Sequence, residues 1–329
     1  MSRISAVLLL VLGMAAGCGK SSRLSGYQGP VTCLAKVGSD LWAGTPSGLV
    51  RFPETGKPEI FLWTGTAYGT VRITASSLIP KETKERADAF GINQVRGICA
   101  GKNGLALATS GGVVEFSASD CKFGRIWNSR NGLGNDSVRS MYARGRKLWA
   151  ATIFGASVID ATGAKWKNYD AASGLPARHT FCMAEYSGKL WVSCINGGLA
   201  FLDEPSGKWR AVPQENGLGN KYIYSMETGP EGLWLGTAGG VNLYSIPGSW
   251  NEKVCTDGFT EYCVYAIRRA GDTLWFGTAY GLYSRSLKPG GKPAVKRLRG
   301  LPSDDITSII SDGKNIFVGT RAGVVRISQ

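Results

Sequence analysis

Three observations predict an all-β chain closed into a ring, a seven-bladed β-propeller. One short phrase, Leu41-Trp42-Ala43-Gly44-Thr45, comes round seven times, its later copies starting at Leu105, Leu148, Leu190, Leu233, Leu274 and Ile316. From Leu105 onward the copies lie 43, 42, 43, 41 and 42 residues apart, and a period of about 40–50 residues is that of a four-stranded blade. The composition agrees, because 43% of residues are apolar while 46 glycines and 13 prolines bend the chain many times.

Each unit reads turn, then four strands. In the third copy the turn is Asn131 to Asp136, and the strands follow as Ser137 to Tyr142, Leu148 to Thr152, Ala156 to Asp160 and Lys165 to Tyr169. A turn-borne pair recurs at Gly132-Leu133, Gly174-Leu175, Gly217-Leu218, Gly258-Phe259 and Gly300-Leu301, with weaker versions at Gly26-Tyr27 and Gly91-Ile92. Glycine supplies the tight bend, and the next side chain is placed to plug the gap between neighbouring blades. The second strand is apolar or small on both of its faces, so both faces are buried between sheets stacked about 10 Å apart. Trp42, Trp149, Trp191, Trp234 and Trp275 are therefore read as core rather than as sugar-stacking platforms.

The last unit stops after its third strand, Val324 to Ile327. Residues 20–27 are expected to supply the missing outer strand, which removes an exposed edge; the alternative is a three-stranded last blade. The first interval is 64 residues, which places an insertion at 64–89, between the fourth strand of unit one (Pro58 to Trp63) and the next turn (Phe90 to Gln94). Within it, Gly65 to Gly69 followed by Val71 to Ile73 reads as a hairpin, and Lys81 to Arg86 as a solvated helical turn. A long loop on a rigid scaffold is either a binding element or an ornament.

Residues 1–17 carry Arg3, the apolar run Ala6 to Leu12 and then Ala15-Ala16-Gly17, the order of a signal peptide. The run is too short to span a bilayer, which takes about 20 residues. Cys18 after Ala-Ala-Gly resembles a bacterial lipobox, with Ala15 standing where leucine is usual. That resemblance implies that Cys18 is diacylated and anchors the chain to a membrane. Residues 18–25 then form the lipidated tether and the closing strand, and 26–329 form one propeller domain with the insertion at 64–89. Gly19 points to the outer membrane, facing the periplasm or the surface; plain secretion is the alternative.

Without Cys18 seven cysteines remain, an odd number. Cys182 with Cys194 across one hairpin, and Cys255 with Cys263 around one interblade turn, are the candidate disulfides. With one histidine and no Cys-x-x-Cys, neither a metal nor a cofactor is expected. The net charge of +14 suits anionic partners such as lipid head groups or acidic polysaccharide. Nucleic acid is a poor partner for a chain facing away from the cytoplasm.

Aligned on the repeat leucine, the units vary most at two positions of the innermost strand. Twelve residues before it stand Gly29, Asn93, Asp136, Arg178, Lys221, Tyr262 and Asp304; nine before it stand Thr32, Arg96, Arg139, Phe181, Tyr224, Tyr265 and Thr307. Seven before it, every residue is apolar. The varied positions predict a basic, aromatic channel mouth built of Arg96, Arg139, Arg178, His179, Lys221, Tyr222, Tyr224, Tyr262 and Tyr265. Arginine forks suit carboxylate or sulfate, and aromatic faces suit sugar rings. Asp304-Asp305 fills the turn slot of Asn135-Asp136 and is read as structural. No catalytic residue is assigned, since His179 has no nucleophile motif beside it. The rival is a lyase or hydrolase acting on polysaccharide or a cyclic metabolite at the mouth, with His179 and either Tyr222 or Asp136 as base and acid.

The run Asn216-Gly217-Leu218, Leu233-Trp234-Leu235-Gly236-Thr237 and Gly239-Gly240-Val241 resembles the two-component regulator propeller repeat. The resemblance covers residues 26–328 and is weakest at Leu105-Ala106 and Ser193-Cys194. It implies a propeller of the kind that serves as the periplasmic sensing part of hybrid histidine kinases perceiving glycan fragments. No kinase or coupling domain follows Gln329, so the expectation is a stand-alone lipoprotein. It would act as a non-catalytic binding module or scaffold for an envelope glycan or protein partner.

Overall fold

The computed structural model describes residues 21–24, 27–63, 70–74, 94–101, 104–160, 165–213, 218–245, 249–251, 262–288 and 294–329. Cys18, Cys255 and residues 75–93 lie outside them, as do the helical turn expected at Lys81 to Arg86 and the Gly91-Ile92 and Gly258-Phe259 plugs.

Seven antiparallel sheets form the ring. Blade three is typical: Val138–Arg144 innermost, then Lys147–Thr152, Gly155–Asp160 and Lys167–Tyr169 outermost. The innermost strands of successive blades lie side by side, the last beside the first. The closing strand is present. Ser21–Arg23 pairs with Gly323–Ser328, matching Ser21 to Ile327 and Arg23 to Val325, so one sheet joins both ends of the ring. Blade one has a fifth strand, because Glu59–Trp63 pairs with Thr70–Thr74 as the hairpin reading expected.

The core is seven layers of side chains, one between each pair of neighbouring blades. A strand alternates its faces, so in each phrase the leucine enters the layer shared with the preceding blade and the tryptophan the layer shared with the following one. Leu190 packs against blade three and Trp191 against blade five. The five phrase tryptophans are all buried, as their core reading required. Blade two has Ala106 in this slot, and its layer is filled instead by Trp127 and Trp166, whose rings meet edge to face at 6.1 Å. The turn plugs also seat: Leu133 and Leu175 are buried between blades, with Leu218 and Leu301 packed against the equivalent layers.

Two local devices repeat. The threonine of the phrase donates to the carbonyl that starts the third strand, as Thr152 Oγ1 to Gly155 O at 2.8 Å and Thr320 Oγ1 to Gly323 O at 2.9 Å. The phrase glycine leaves room for a β-branched residue ten positions before the next leucine. A Cβ on Gly277 would lie 2.4 Å from Ile306, and one on Gly319 2.8 Å from Val31 across the closure. Blade four departs from both: Cys194 replaces threonine, and the turn after it is one residue longer, with Asn196 at φ +62°.

The Cys182–Cys194 disulfide expectation is corrected by this geometry. Both thiols are free. Cys194 partners Thr180 in the ladder and enters the layer towards blade three, whereas Cys182 packs towards blade five. The two thiols stand on opposite faces of one sheet. Cys182 Sγ instead meets Ser193 Oγ at 3.0 Å.

Candidate binding site at the mouth of the central channel

In six of the seven innermost strands the register slips at the same place, as between Val138 and Ser140 or between Val264 and Ala266. The residue nine before the leucine sits in this β-bulge, and a bulge turns a side chain out of the pleat. On one side of it is the buried β-branched residue that locks onto the neighbouring blade; on the other is a small residue, Cys33, Gly97, Ser140, Cys182, Ser225, Ala266 or Ser308. All seven bulge-position residues, Thr32, Arg96, Arg139, Phe181, Tyr224, Tyr265 and Thr307, line one central cavity of about 610 Å³. That volume is within the range of small-ligand sites, about 300–1,000 Å³.

The lining is divided by sector. Blades two and three contribute Arg96 and Arg139. Arg96 Nη1 donates to Ser137 Oγ at 2.8 Å, and Arg139 Nε is buried with no partner. Burial, then repulsion from Arg139, pushes the Arg96 pKa down. Blades four to six contribute an aromatic arc, Phe181 to Tyr224 at 5.6 Å and Tyr224 to Tyr265 at 5.3 Å between ring centroids. Burial raises the phenols of Tyr224 and Tyr265, so both are neutral hydrogen-bond donors near pH 7. Blade seven closes the ring with an ion pair, Arg321 Nε to Asp305 Oδ2 at 3.0 Å. Three hydroxyl oxygens of the wall, Ser225 Oγ, Thr307 Oγ1 and Ser308 Oγ, are buried without partners.

Of the nine mouth residues expected from sequence, Arg96, Arg139, Tyr224 and Tyr265 line the cavity, and Arg178, His179, Lys221, Tyr222 and Tyr262 do not. The described positions twelve before the leucine lie in the connecting turn, upstream of the bulge, and so project onto the rim. Arg178 and Lys221 are exposed. Tyr262 stacks obliquely on Tyr280 at 5.1 Å. His179 lies behind Phe181, 6.4 Å between rings, with Nε2 buried and unpartnered. Sequence reasoning missed the channel-lining Arg268 and Arg321; Arg321 comes from the turn between second and third strands, where no repeat position marked it.

Asp136, named in the catalytic alternative, accepts the Ser129 amide on Oδ1 at 2.6 Å. Asp304 and Asp305 are tied to Arg297 and Arg321, in keeping with their structural reading. Among the described residues no cluster of three or more His, Cys, Asp or Glu could hold a metal ion, and no helix is long and apolar enough to cross a membrane.

Burial, then the Arg139 charge, depresses the His179 pKa below the usual 6.5. The folded state thus binds this proton less tightly than the unfolded chain. Stability is full above the unfolded value and is lost as pH falls below it, until the folded pKa is reached. Urea midpoints measured from pH 8 to 5 should show this loss, and it should vanish in His179→Gln. The cysteines give a second expected result. Burial pushes the Cys33, Cys182 and Cys194 thiols up to about 12, so at pH 8 iodoacetamide should leave them unmodified in the native protein and label all three in urea. An intact mass that changes on reduction through a Cys182–Cys194 link would refute the geometry.

The four large apolar side chains that stand exposed among the described residues gather at this same end: Phe154 (53%), Tyr222 (37%), Tyr265 (39%) and Tyr280 (60%). Strand starts and second-to-third turns share one end of an antiparallel blade, so these residues surround the mouth. Apolar surface concentrated on one face marks an interaction site more than scattered residues do.

No protein-family model matches the sequence, and no curated protein matches it. Solved structures do. The extracellular domain of BT4673 from B. thetaiotaomicron, described as a hybrid two-component system, is similar with a TM-score of 0.71 and 18% identity over 95% of this chain and 40% of that one. The corresponding domain of BT3049 from the same organism gives 0.71 and 19% over 94% and 42%. A streptogramin B lyase gives 0.67 and 13% over 94% of this chain and 96% of its own. The ring fold implied by the repeat resemblance is thus that of these extracellular domains, of which this chain spans about two fifths.

Proposed function

We propose that this propeller is a non-catalytic binding module of the cell envelope, recognising a glycan or a protein partner on the channel-mouth face. It is held there by lipid on Cys18. The observation that carries the reading is the convergence on one face of the exposed aromatics, the cavity and two arginines with no described acidic partner. The likeness to sensor ectodomains supports a binding role, and residues 1–18 support export and anchoring. The likeness to a lyase supports the fold alone.

The test pairs a glycan array with capture from envelope extracts, using the full chain, the Arg96→Glu/Arg139→Glu variant, and Arg210→Glu on the outer edge of blade four as control. Binding should fall on the order of 100-fold in the double variant, since a hydrogen bond to a charged group contributes about 1.5–3 kcal/mol, and should hold in the control. Equal binding by all three chains sinks the assignment to this face. Radiolabelled palmitate should enter the parent and not Cys18→Ser; label in both would remove the anchor.

A further inference from the structure

We propose that the cavity is a subsite for one acidic sugar ring, inserted end-on into the channel, with its anionic group between Arg96 and Arg139 and its ring against the Phe181–Tyr224–Tyr265 arc. This rests on the binding-module reading and specifies its ligand. Seven arginines, among them the channel-lining Arg268 and Arg321, pair with a described carboxylate: Arg51, Arg144, Arg210, Arg268, Arg269, Arg297 and Arg321. Arg96 and Arg139 face each other's charge in the cavity wall instead, and no described carboxylate pairs with either. Two like charges in a partly desolvated wall are costly unless an anion joins them.

The anion brought by the ligand has to be attached to something that fits the other sectors. The three rings of the arc are mutually tilted, 73° between Phe181 and Tyr224 and 47° between Tyr224 and Tyr265, so a planar hydrocarbon lies flat against only one of them at a time. A puckered polyol ring carries C–H bonds on both faces and at its edges, which pack on aromatic rings set at such angles, while its hydroxyls stay turned to the open mouth. The combination of an arginine pair and a tilted aromatic arc within about 610 Å³ describes a sugar carrying one carboxylate or sulfate. Arginine forks accept either group, so the shared chemistry is the charge and the ring.

Calorimetric titration of the full chain in detergent with glucuronate, galacturonate, glucose 6-sulfate, glucose and inorganic sulfate tests this. Glucuronate, galacturonate or the sugar sulfate should bind at least 10-fold more tightly than glucose, and which of them binds tells carboxylate from sulfate. Arg139→Met should weaken the acidic sugar at least 10-fold and leave glucose unchanged, with partial recovery in Arg139→Lys. Tyr224→Ala should weaken acidic and neutral sugars together while inorganic sulfate is unaffected. Melting curves report whether each variant is folded. Glucose binding as tightly as glucuronate, or Arg139→Met binding like the parent, overturns the proposal. If no acidic sugar binds but envelope capture still depends on Arg96 and Arg139, the subsite is wrong and the module stands. If neither sugar nor capture is seen, both fall.

Discussion

Replacing Gly155 by alanine should lower the melting temperature more than any other single methyl added to blade three. Gly155 opens the third strand at φ +115°, and a Cβ there would lie 2.0 Å from the carbonyl oxygen of Tyr169. That oxygen belongs to the backbone of the outermost strand and cannot swing aside. The change combines a left-handed conformation, costing roughly 1–2 kcal/mol outside glycine, with a backbone collision, and should reach about 4 kcal/mol or more. Gly145 is the matched comparison. It also has positive φ, +57°, but nothing lies within 4 Å of its Cβ position, so alanine there should cost only the conformational penalty of about 1–2 kcal/mol. Equal melting temperatures for the two variants would show that the outer strand yields, and that the turn is not held by its threonine and glycine.

Removing residues 1–24 should open the ring, whereas removing residues 1–19 should not. The longer deletion takes away the ladder of Ser21–Arg23, the Leu24 amide bond to Val324 O at 3.0 Å and the Arg23 bond to Ala322 O at 2.7 Å. At about 1 kcal/mol net for each hydrogen bond, the direct loss is a few kcal/mol. The larger consequence is the exposed edge of Gly323–Ser328, which offers unpaired amides to another chain. Light scattering should show concentration-dependent association of the longer deletion at temperatures where the shorter one stays monomeric. Identical behaviour would mean that the blade-seven edge tolerates a three-stranded sheet.

The architecture was legible because a blade is a local unit whose burial repeats. Leu190 and Trp191 must be apolar for the same reason as Leu233 and Trp234, so the period survives substitution in individual copies. The closing strand was legible by subtraction, since an unpaired edge at Val324 to Ile327 required a partner and residues 20–27 were free to supply one. The mouth was read only in part. Two variable positions three residues apart look equivalent in a sequence, but the bulge turns just one of them inward, and so Arg178 and Lys221 ended on the rim. The sign of the bulge was present, a buried β-branched residue followed by a variable one and then a small one, as in Val138-Arg139-Ser140. The Cys182–Cys194 pairing failed for a related reason: closeness along a hairpin does not say which face of the sheet each thiol occupies.

The bulge also separates two kinds of inheritance within a single strand. Its flanking residues carry the pairing and the buried lock between blades, while the bulged residue reaches its neighbour through its side chain alone, as Arg96 does to Ser137 and Thr32 to the Val95 carbonyl. On the binding-module proposal, ligand choice is written in seven side chains that leave the backbone ladder and the buried lock untouched when they are exchanged. A library randomised at Thr32, Arg96, Arg139, Phe181, Tyr224, Tyr265 and Thr307 should keep the parental melting behaviour in most members while its ligands diverge, which makes this ring a substrate for selecting new specificities.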